Sequence, residues 1–294
     1  MRLLRYLIVS GSAAAMAGAV TCSGVTATTV AAPARASHAP SARFLAEART
    51  ALAHYLGHSH PQAMLVHPGR ARAVKGVTAF QSFNWSGYAD TASSAQTFTK
   101  VSGSWTTPSV TCSAEDQITS DWLGLDGFNS ATVEQLGTIS WCYKGKPLYF
   151  TWYSMFPNGT TEVGAALKPG DKISASVTRA GTGYALKLTD STTSGNNISV
   201  TKTCPLTTCL DTSAEWVSER PSFAKPFGIV PQAHYNAFKI TNGSQTSGGH
   251  TGTIGAGPGV NEITMRDATS AYNLGTVSAL TGGNSFTTTW RNSY

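Results

Sequence analysis

Charge is scarce in this chain, and histidine is scarcer where chemistry would need it. Charged residues make up 12% of the 294, and only His234 and His250 follow residue 75. Two histidines restrict any Ser-His or Cys-His scheme, and no Gly-x-Ser-x-Gly elbow is present. His-Glu-x-x-His is absent, and neither histidine is spaced with a cysteine pair for zinc, so no metal is expected. The Asp-Thr-Gly and Asp-Ser-Gly loops of two-aspartate hydrolases are missing; Asp90-Thr91-Ala92 and Asp190-Ser191-Thr192 only approach them. The glycine run Gly255-Ala256-Gly257-Pro258-Gly259 has no helix pattern after it, so a phosphate loop and a nucleotide cofactor are not expected. What survives is chemistry built on a carboxylate and a neutral hydrogen-bonding partner.

The formal charge of +6 is unevenly placed. Residues 1–75 hold eight Lys/Arg and a single acid, Glu47, for a net of +7. The rest carries thirteen bases and fourteen acids, a net of −1. A basic leader on a nearly neutral body gives no reason to expect nucleic-acid binding. A long apolar run occurs at the start, from about Leu3 to Val20, behind Arg2 and Arg5. With Ala34-Arg35-Ala36 after it, residues 1–36 read as a signal peptide, with Ala27 and Ala32 as alternative cleavage points. The stretch is short and Ser/Gly-interrupted for an anchor, so export and release from the membrane are expected.

Residues 37–75 read as a basic, His-rich propeptide, with His38, His54, His58, His60 and His67. Ser41 can cap a helix whose apolar positions Phe44, Leu45, Ala48, Leu52, Tyr55 and Leu56 recur at helical spacing, with Gly57 as the stop. A segment of this charge can cover an acidic cleft at neutral pH and leave in acid; a plain linker is the alternative. Residues 76–294 read as one all-β domain, with no amphipathic helix of ordinary length. Period-two or aromatic runs recur at Val101–Trp105, Leu148–Phe156, Ile173–Val177, Leu186–Leu188, Ile198–Val200, Phe238–Ile240 and Phe286–Trp290. Turn signals separate them, among them Asp126-Gly127, Asn158-Gly159, Pro169-Gly170-Asp171 and Asn242-Gly243. Four cysteines remain after the signal; the spacing favours a Cys204–Cys209 disulfide, which leaves Cys112 with Cys142.

Seven segments, in order, carry a resemblance. They are Asn84-Trp85-Ser86-Gly87-Tyr88-Ala89, Val101-Ser102-Gly103-Ser104-Trp105, Asp121-Trp122-Leu123-Gly124-Leu125-Asp126-Gly127, Glu134-Gln135-Leu136-Gly137, Phe150-Thr151-Trp152-Tyr153-Ser154-Met155-Phe156, Lys168-Pro169-Gly170-Asp171 and Ser213-Ala214-Glu215-Trp216-Val217-Ser218-Glu219. In this order they resemble the glutamic peptidases, or eqolisins. The resemblance implies a β-sandwich of two large antiparallel sheets, similar to a concanavalin-like jelly roll, and a secreted monomeric acid endopeptidase acting on polypeptides. It implies Gln135 and Glu215 as catalytic residues, with Trp122, Asp126, Trp152 and Phe156 as substrate-binding or supporting residues. It also departs from the family's pattern at Ser154, Met155 and Phe156, and at Ile139 in place of an Asp.

The residues make chemical sense of the pair. A peptide carbonyl under attack develops an oxyanion, for which the Gln135 amide is a donor. Glu215, with an ordinary pKa near 4.3, can take a proton from water and return it to the leaving amine. Strand parity puts Gln135 with Val133 and Gly137, and Glu134 on the opposite face, as a solvated strand-edge charge. Glu215 shares its face with Val217 and Glu219; the latter is either a second cleft carboxylate or an exposed charge. Asp126 either orients Gln135 or caps its turn. Trp122 and Trp152 either line a groove or fill the core, and Trp85 and Trp105 are expected in the core. The competing reading is a carbohydrate-binding or glycoside-hydrolysing sandwich, with Glu215 paired to Glu219 or Asp126.

Overall fold

The computed structural model describes residues 41–57, 72–74, 76–95, 97–113, 116–164, 166–223, 228–269 and 271–293. The signal-peptide reading falls on residues 1–36, outside the described residues. From Ser41 onward the chain is a single compact unit.

Helix α1 spans Ala42–Gly57. Ser41 caps it as expected: the Phe44 N–H donates to Ser41 Oγ at 3.2 Å, and the Leu45 N–H to the Ser41 carbonyl at 3.0 Å. Ala48 and Leu52 are fully buried, and Phe44, Leu45 and Ala51 partly so, as the apolar stripe requires.

Sixteen strands of four or more residues follow among the described residues. In chain order they are β1 (Val77–Ser82), β2 (Trp85–Thr91), β3 (Phe98–Thr106), β4 (Gln117–Leu125), β5 (Val133–Tyr143), β6 (Lys146–Phe156), β7 (Thr160–Gly164) and β8 (Lys172–Ala180). Then come β9 (Gly183–Asp190), β10 (Ile198–Thr203), β11 (Ser213–Glu219), β12 (Phe238–Ser247), β13 (His250–Thr253), β14 (Val260–Arg266), β15 (Asn273–Val277) and β16 (Phe286–Trp290).

Two layers result. The front layer runs β7-β6-β5-β4-β11-β2-β14-β1, and β14 continues into β15 and β16. The back layer runs β10-β9-β8-β3-β12-β13. Between them lies a core that includes Tyr88, Val101, Trp105, Leu123, Leu136, Ile173, Val177, Leu186, Trp216, Phe238 and Phe286. This is the expected all-β sandwich, with one difference: β14 and β1 pair in parallel. Both disulfides form as expected, Cys112–Cys142 and Cys204–Cys209.

Asn242-Gly243 departs from expectation. It is not a hairpin turn but a bulge inside β12, where register shifts between Thr241 and Ser244. Phe238–Ile240 pair with β16 in the front layer, and Thr241 and the residues after the bulge with β3 in the back layer. Asn242 takes a left-handed φ of 54° there, and a side chain at Gly243 would strike Ile254 Cδ1 at 2.4 Å. The dipeptide is used to bend a strand between layers rather than to reverse the chain.

Candidate active site

Alternation divides each front strand into a face toward the back layer and a face toward α1. The second face gathers Trp85, Ile118, Trp122, Val133, Ile139, Trp141, Leu148, Phe150, Trp152, Val217 and Ile263 into one apolar cluster with Ala48 and Leu52 of α1. Gln135 is in phase with Val133 on β5, and Glu215 with Val217 on β11, so both belong to this face.

Strand β4 runs between them. Gly124 is in register with Gln135 on one side and with Glu215 on the other. One transverse row therefore reads Ala89, Glu215, Gly124, Gln135, Ser154. Two inter-strand steps put the outer Cα atoms about 10 Å apart, within joint reach of a Gln and a Glu side chain. The residue between them has no side chain. A Cβ at Gly124 would lie 3.0 Å from Gln135 Cβ, 3.0 Å from the Glu134 carbonyl and 3.2 Å from the Trp122 ring. The gap that lets amide and acid converge is thus written into the Trp-Leu-Gly-Leu-Asp-Gly segment.

The pair is shut off from solvent, with Gln135 1% and Glu215 0% exposed. Gln135 Oε1 and both Glu215 carboxyl oxygens have no hydrogen-bond partner. Buried polar atoms left unpaired are uncommon and concentrate where a ligand or water is meant to bind. Burial raises the Glu215 pKa well above the ordinary carboxylate range. Ser213 opposes this weakly, without a well-formed hydrogen bond, and the charges of Asp126, Glu134 and Asp90 add to the rise.

The supporting residues fall into place unequally. Trp122 is fully buried, packs edge-on against Trp85 with ring centroids 4.9 Å apart, and donates from Nε1 to Glu219 Oε2 at 2.8 Å. Trp85 is a core residue as expected, in the buried cluster on this face. Trp152 lies on the same face, in register with Gly137, and Phe156 packs at its margin beside Val133. Trp105 stays between the layers, its indole donating to Thr138 Oγ1 at 3.2 Å. Among the two late histidines, His234 stacks on Trp290 at 3.8 Å and His250 is exposed.

Asp126 has a left-handed φ of 63° and is fully buried. Its carboxylate accepts from the backbone N–H groups of Asp211 (2.7 Å) and Thr212 (2.9 Å), and from the hydroxyls of Thr212 (3.2 Å) and Thr132 (3.2 Å). Thr132 immediately precedes β5, and Asp211-Thr212 immediately precede β11. One side chain thus ties together the segments that lead into both candidate catalytic strands. It holds the turn and these two lead-in segments, and none of its hydrogen bonds reaches Gln135.

Two carboxyls differ from expectation. Glu134 does face away from Gln135, but it is fully buried between the layers, not solvated. Its Oε1 lies 3.1 Å from Cys209 Sγ, a disulfide sulfur with no hydrogen to donate. Burial raises its pKa well above normal, and Asp126 and Asp211 add to this. Glu219 is neither exposed nor a free cleft acid. It is 4% exposed and accepts from Trp122 and from Asn84 Nδ2 at 3.4 Å, and burial pushes its pKa up to about 8. Sequence patterning could not see either, because it reports the face of a residue and not what covers that face.

The glycosidase alternative loses its carboxyl pair. Glu219 is held by Trp122 and Asn84, and Asp126 is occupied by its four donors. Comparison with known proteins points the same way. Residues 83–290 match the model of the Peptidase A4 family. Scytalido-glutamic peptidase with a transition-state-analogue inhibitor superposes with a TM-score of 0.60 at 21% identity, over 71% of this chain and 98% of that one. SCP-B, an eqolisin solved with the tripeptide Ala-Ile-His, gives a TM-score of 0.58 at 20% identity, over 71% and 98%. Aspergilloglutamic peptidase from Aspergillus niger gives 0.51 at 24% identity, over 60% and 100%. Comparison with curated protein sequences yields no significant match. The family match spans most of the chain, the fold agrees, and the chain belongs to the Peptidase A4 family, as a glutamic-type endopeptidase.

Proposed function

We propose that the protein is an exported, acid-active endopeptidase that cuts polypeptides with the Gln135–Glu215 pair. The observation that carries this reading is the shared row: amide and carboxyl on one face, flanking a position without a side chain. The ionised Glu215 takes one proton from a water seated over Gly124, and the water oxygen bonds to the scissile carbonyl carbon. The electron pair displaced onto the carbonyl oxygen is held by the Gln135 amide N–H. Glu215, now protonated, hands its proton to the amide nitrogen as the C–N bond breaks. No metal and no cofactor is required. An extended substrate lies along the front face and makes β-like backbone contacts there, with Trp122, Trp152 and Phe156 as its apolar walls.

Residues 37–75 act as an inhibitory propeptide in this reading, and α1 is its inhibitory element. The helix covers the apolar face on which the pair lies. Its charged groups are tied to the β5-β6-β7 edge of the front layer: Glu47 pairs with Lys144, in the turn between β5 and β6, and accepts from the Tyr143 hydroxyl at 3.3 Å, while Arg49 lies 3.8 Å from Glu162 on β7. Lys144 holds the Glu47 carboxyl below its ordinary range, so that pair persists at neutral pH and is lost in acid. Burial raises the Glu162 pKa against the pull of Arg49, so the second pair fails earlier as pH falls. Meanwhile the covered Glu215 stays protonated and cannot accept a proton from water; removing the helix rehydrates it. Residues 1–36 serve as signal peptide, and the processed enzyme is a secreted monomer. No helix among the described residues is long and apolar enough to cross a membrane.

The test is to acidify the purified chain to pH 3–4 and follow its own processing and its digestion of a denatured protein. The wild type should lose its N-terminal segment and become active, while Gln135→Ala and Glu215→Ala should do neither. Processing and digestion by either variant at wild-type rates would refute the assignment.

A further inference from the structure

The acidic residues of the body avoid one surface. Outward positions of the back layer alternate with core positions along each strand, and they are Lys100, Ser102, Ser104 and Thr106 on β3, Lys172, Ser174, Ser176 and Thr178 on β8, and Lys187 and Thr189 on β9. Ser199 and Thr201 continue the face on β10, and Lys239 and Thr241 on β12. The back-layer strands contain one acid, Asp190, and it is buried and bonded to its own turn. None of the four lysines takes part in an ion pair found among the described residues.

The hydroxyls form rows across the strands. Thr241, Ser104, Ser174 and Thr189 are in register, with Ser104 Oγ 3.0 Å from Ser174 Oγ. Ser102, Ser176, Lys187 and Ser199 form the next row. Between β3, β8 and the start of β12 the face sinks into a cavity of about 500 Å³, lined by Ser104, Thr106, Lys172, Ser174, Lys239 and Thr241 among others. No acidic side chain lines it. A surface meant only for solubility would mix both signs, and this one does not. Repeated hydroxyls match the hydroxyl groups of a sugar chain, and ammonium groups without an acidic partner match fixed negative charge.

We propose that this back face binds an acidic polysaccharide, on the side of the sandwich opposite the Gln135–Glu215 row. The cavity takes one charged sugar unit between Lys172 and Lys239, and the flat rows on either side carry its neighbours. The enzyme would thus be held on an anionic polymer with its active face free.

The test measures retention of the full chain on immobilised polygalacturonate at pH 5, with dextran and duplex DNA supports alongside. Retention on polygalacturonate should exceed that on dextran, and should be released by salt. Substituting all four lysines (Lys100→Gln, Lys172→Gln, Lys187→Gln, Lys239→Gln) should weaken binding about tenfold or more, with acid peptidase activity and Tm unchanged. Loss of four charges in the leader (Arg49→Gln, Arg70→Gln, Arg72→Gln, Lys75→Gln) should leave binding to polygalacturonate within about twofold. The proposal is overturned if the four-lysine variant binds like wild type, if the leader variant loses as much, or if DNA retains the chain equally well. Peptidase activity is read separately, so failure of this face and failure of the dyad are distinct results.

Discussion

Raising the pH from 4 to 7 should destabilise this protein, and the slope can be worked from its buried acids. Asp90 is fully buried, its two carboxyl oxygens have no hydrogen-bond partner, and burial pushes its pKa up to about 8. Asp121, 1% exposed, is pushed up to about 7, with Ser218 slightly opposing. Glu219 is pushed up to about 8. In the unfolded chain such groups titrate near 4. A carboxyl whose folded pKa is raised holds its proton more tightly in the fold. Its contribution is complete below about pH 4 and is lost as pH climbs toward the folded value, at about 1.4 kcal/mol per pH unit. Three such groups give about 4 kcal/mol per unit, and water penetration can halve that. Glu134 and, while α1 covers it, Glu215 act in the same direction. Against a total stability of roughly 5–15 kcal/mol, a rise of two to three units removes a large share of it. The assay is a series of thermal melts from pH 3 to 8. Tm should be highest near pH 4 and fall by about 5–10 °C per unit above it. Asp90→Asn should flatten the slope and raise stability at pH 7. A Tm that stays level or rises between pH 4 and 7 would refute the reasoning, because it would mean that these carboxyls ionise in place without penalty.

Other outcomes follow from single contacts. Asp126→Ala removes four hydrogen bonds, two of them to backbone N–H groups, and should cost about 3–5 kcal/mol in urea unfolding while lowering kcat; Asn should restore part of both. Gly124→Ala puts a methyl between the two functional side chains and against the Glu134 carbonyl, and should lower kcat at least about tenfold while costing about 1–3 kcal/mol of stability. A wild-type kcat in that variant would mean that the gap is not the water's seat. Lys144→Ala unlatches Glu47 from the wall of the groove and should let the chain activate faster at pH 5, as seen by the rate of N-terminal processing on a gel.

Much of the front layer was legible because alternation and register are sequence properties. Val133-Glu134-Gln135 and Ser213-Ala214-Glu215 fixed which side chains share a face, and Ser41 marked where α1 begins. The interior acids were not legible. Glu134 and Glu219 look like ordinary surface charges in sequence, since what buries them is a disulfide loop 75 residues away and an indole 97 residues away. Asp126 was seen as a turn residue because Asp-Gly is a local signal, whereas its four donors come from Thr132 and from Asp211-Thr212. The Asn242-Gly243 bulge was misread for the same reason: a dipeptide reports backbone freedom, and only the pairing partners on either side decide whether the chain reverses or bends. Gly124 was quoted as part of a motif, yet its role became apparent only when β4 was found running between β5 and β11.

The central claim is that one amide and one acid, meeting over Gly124, do the hydrolysis. Its most direct test is kcat on a defined peptide at pH 3.5 for acid-processed enzyme carrying Glu215→Gln, a change that keeps size and shape and removes only the titrating group, with the fold checked by circular dichroism. The account predicts a folded protein with kcat lowered about a thousandfold or more. A folded variant that retains more than about a tenth of the wild-type kcat would contradict it.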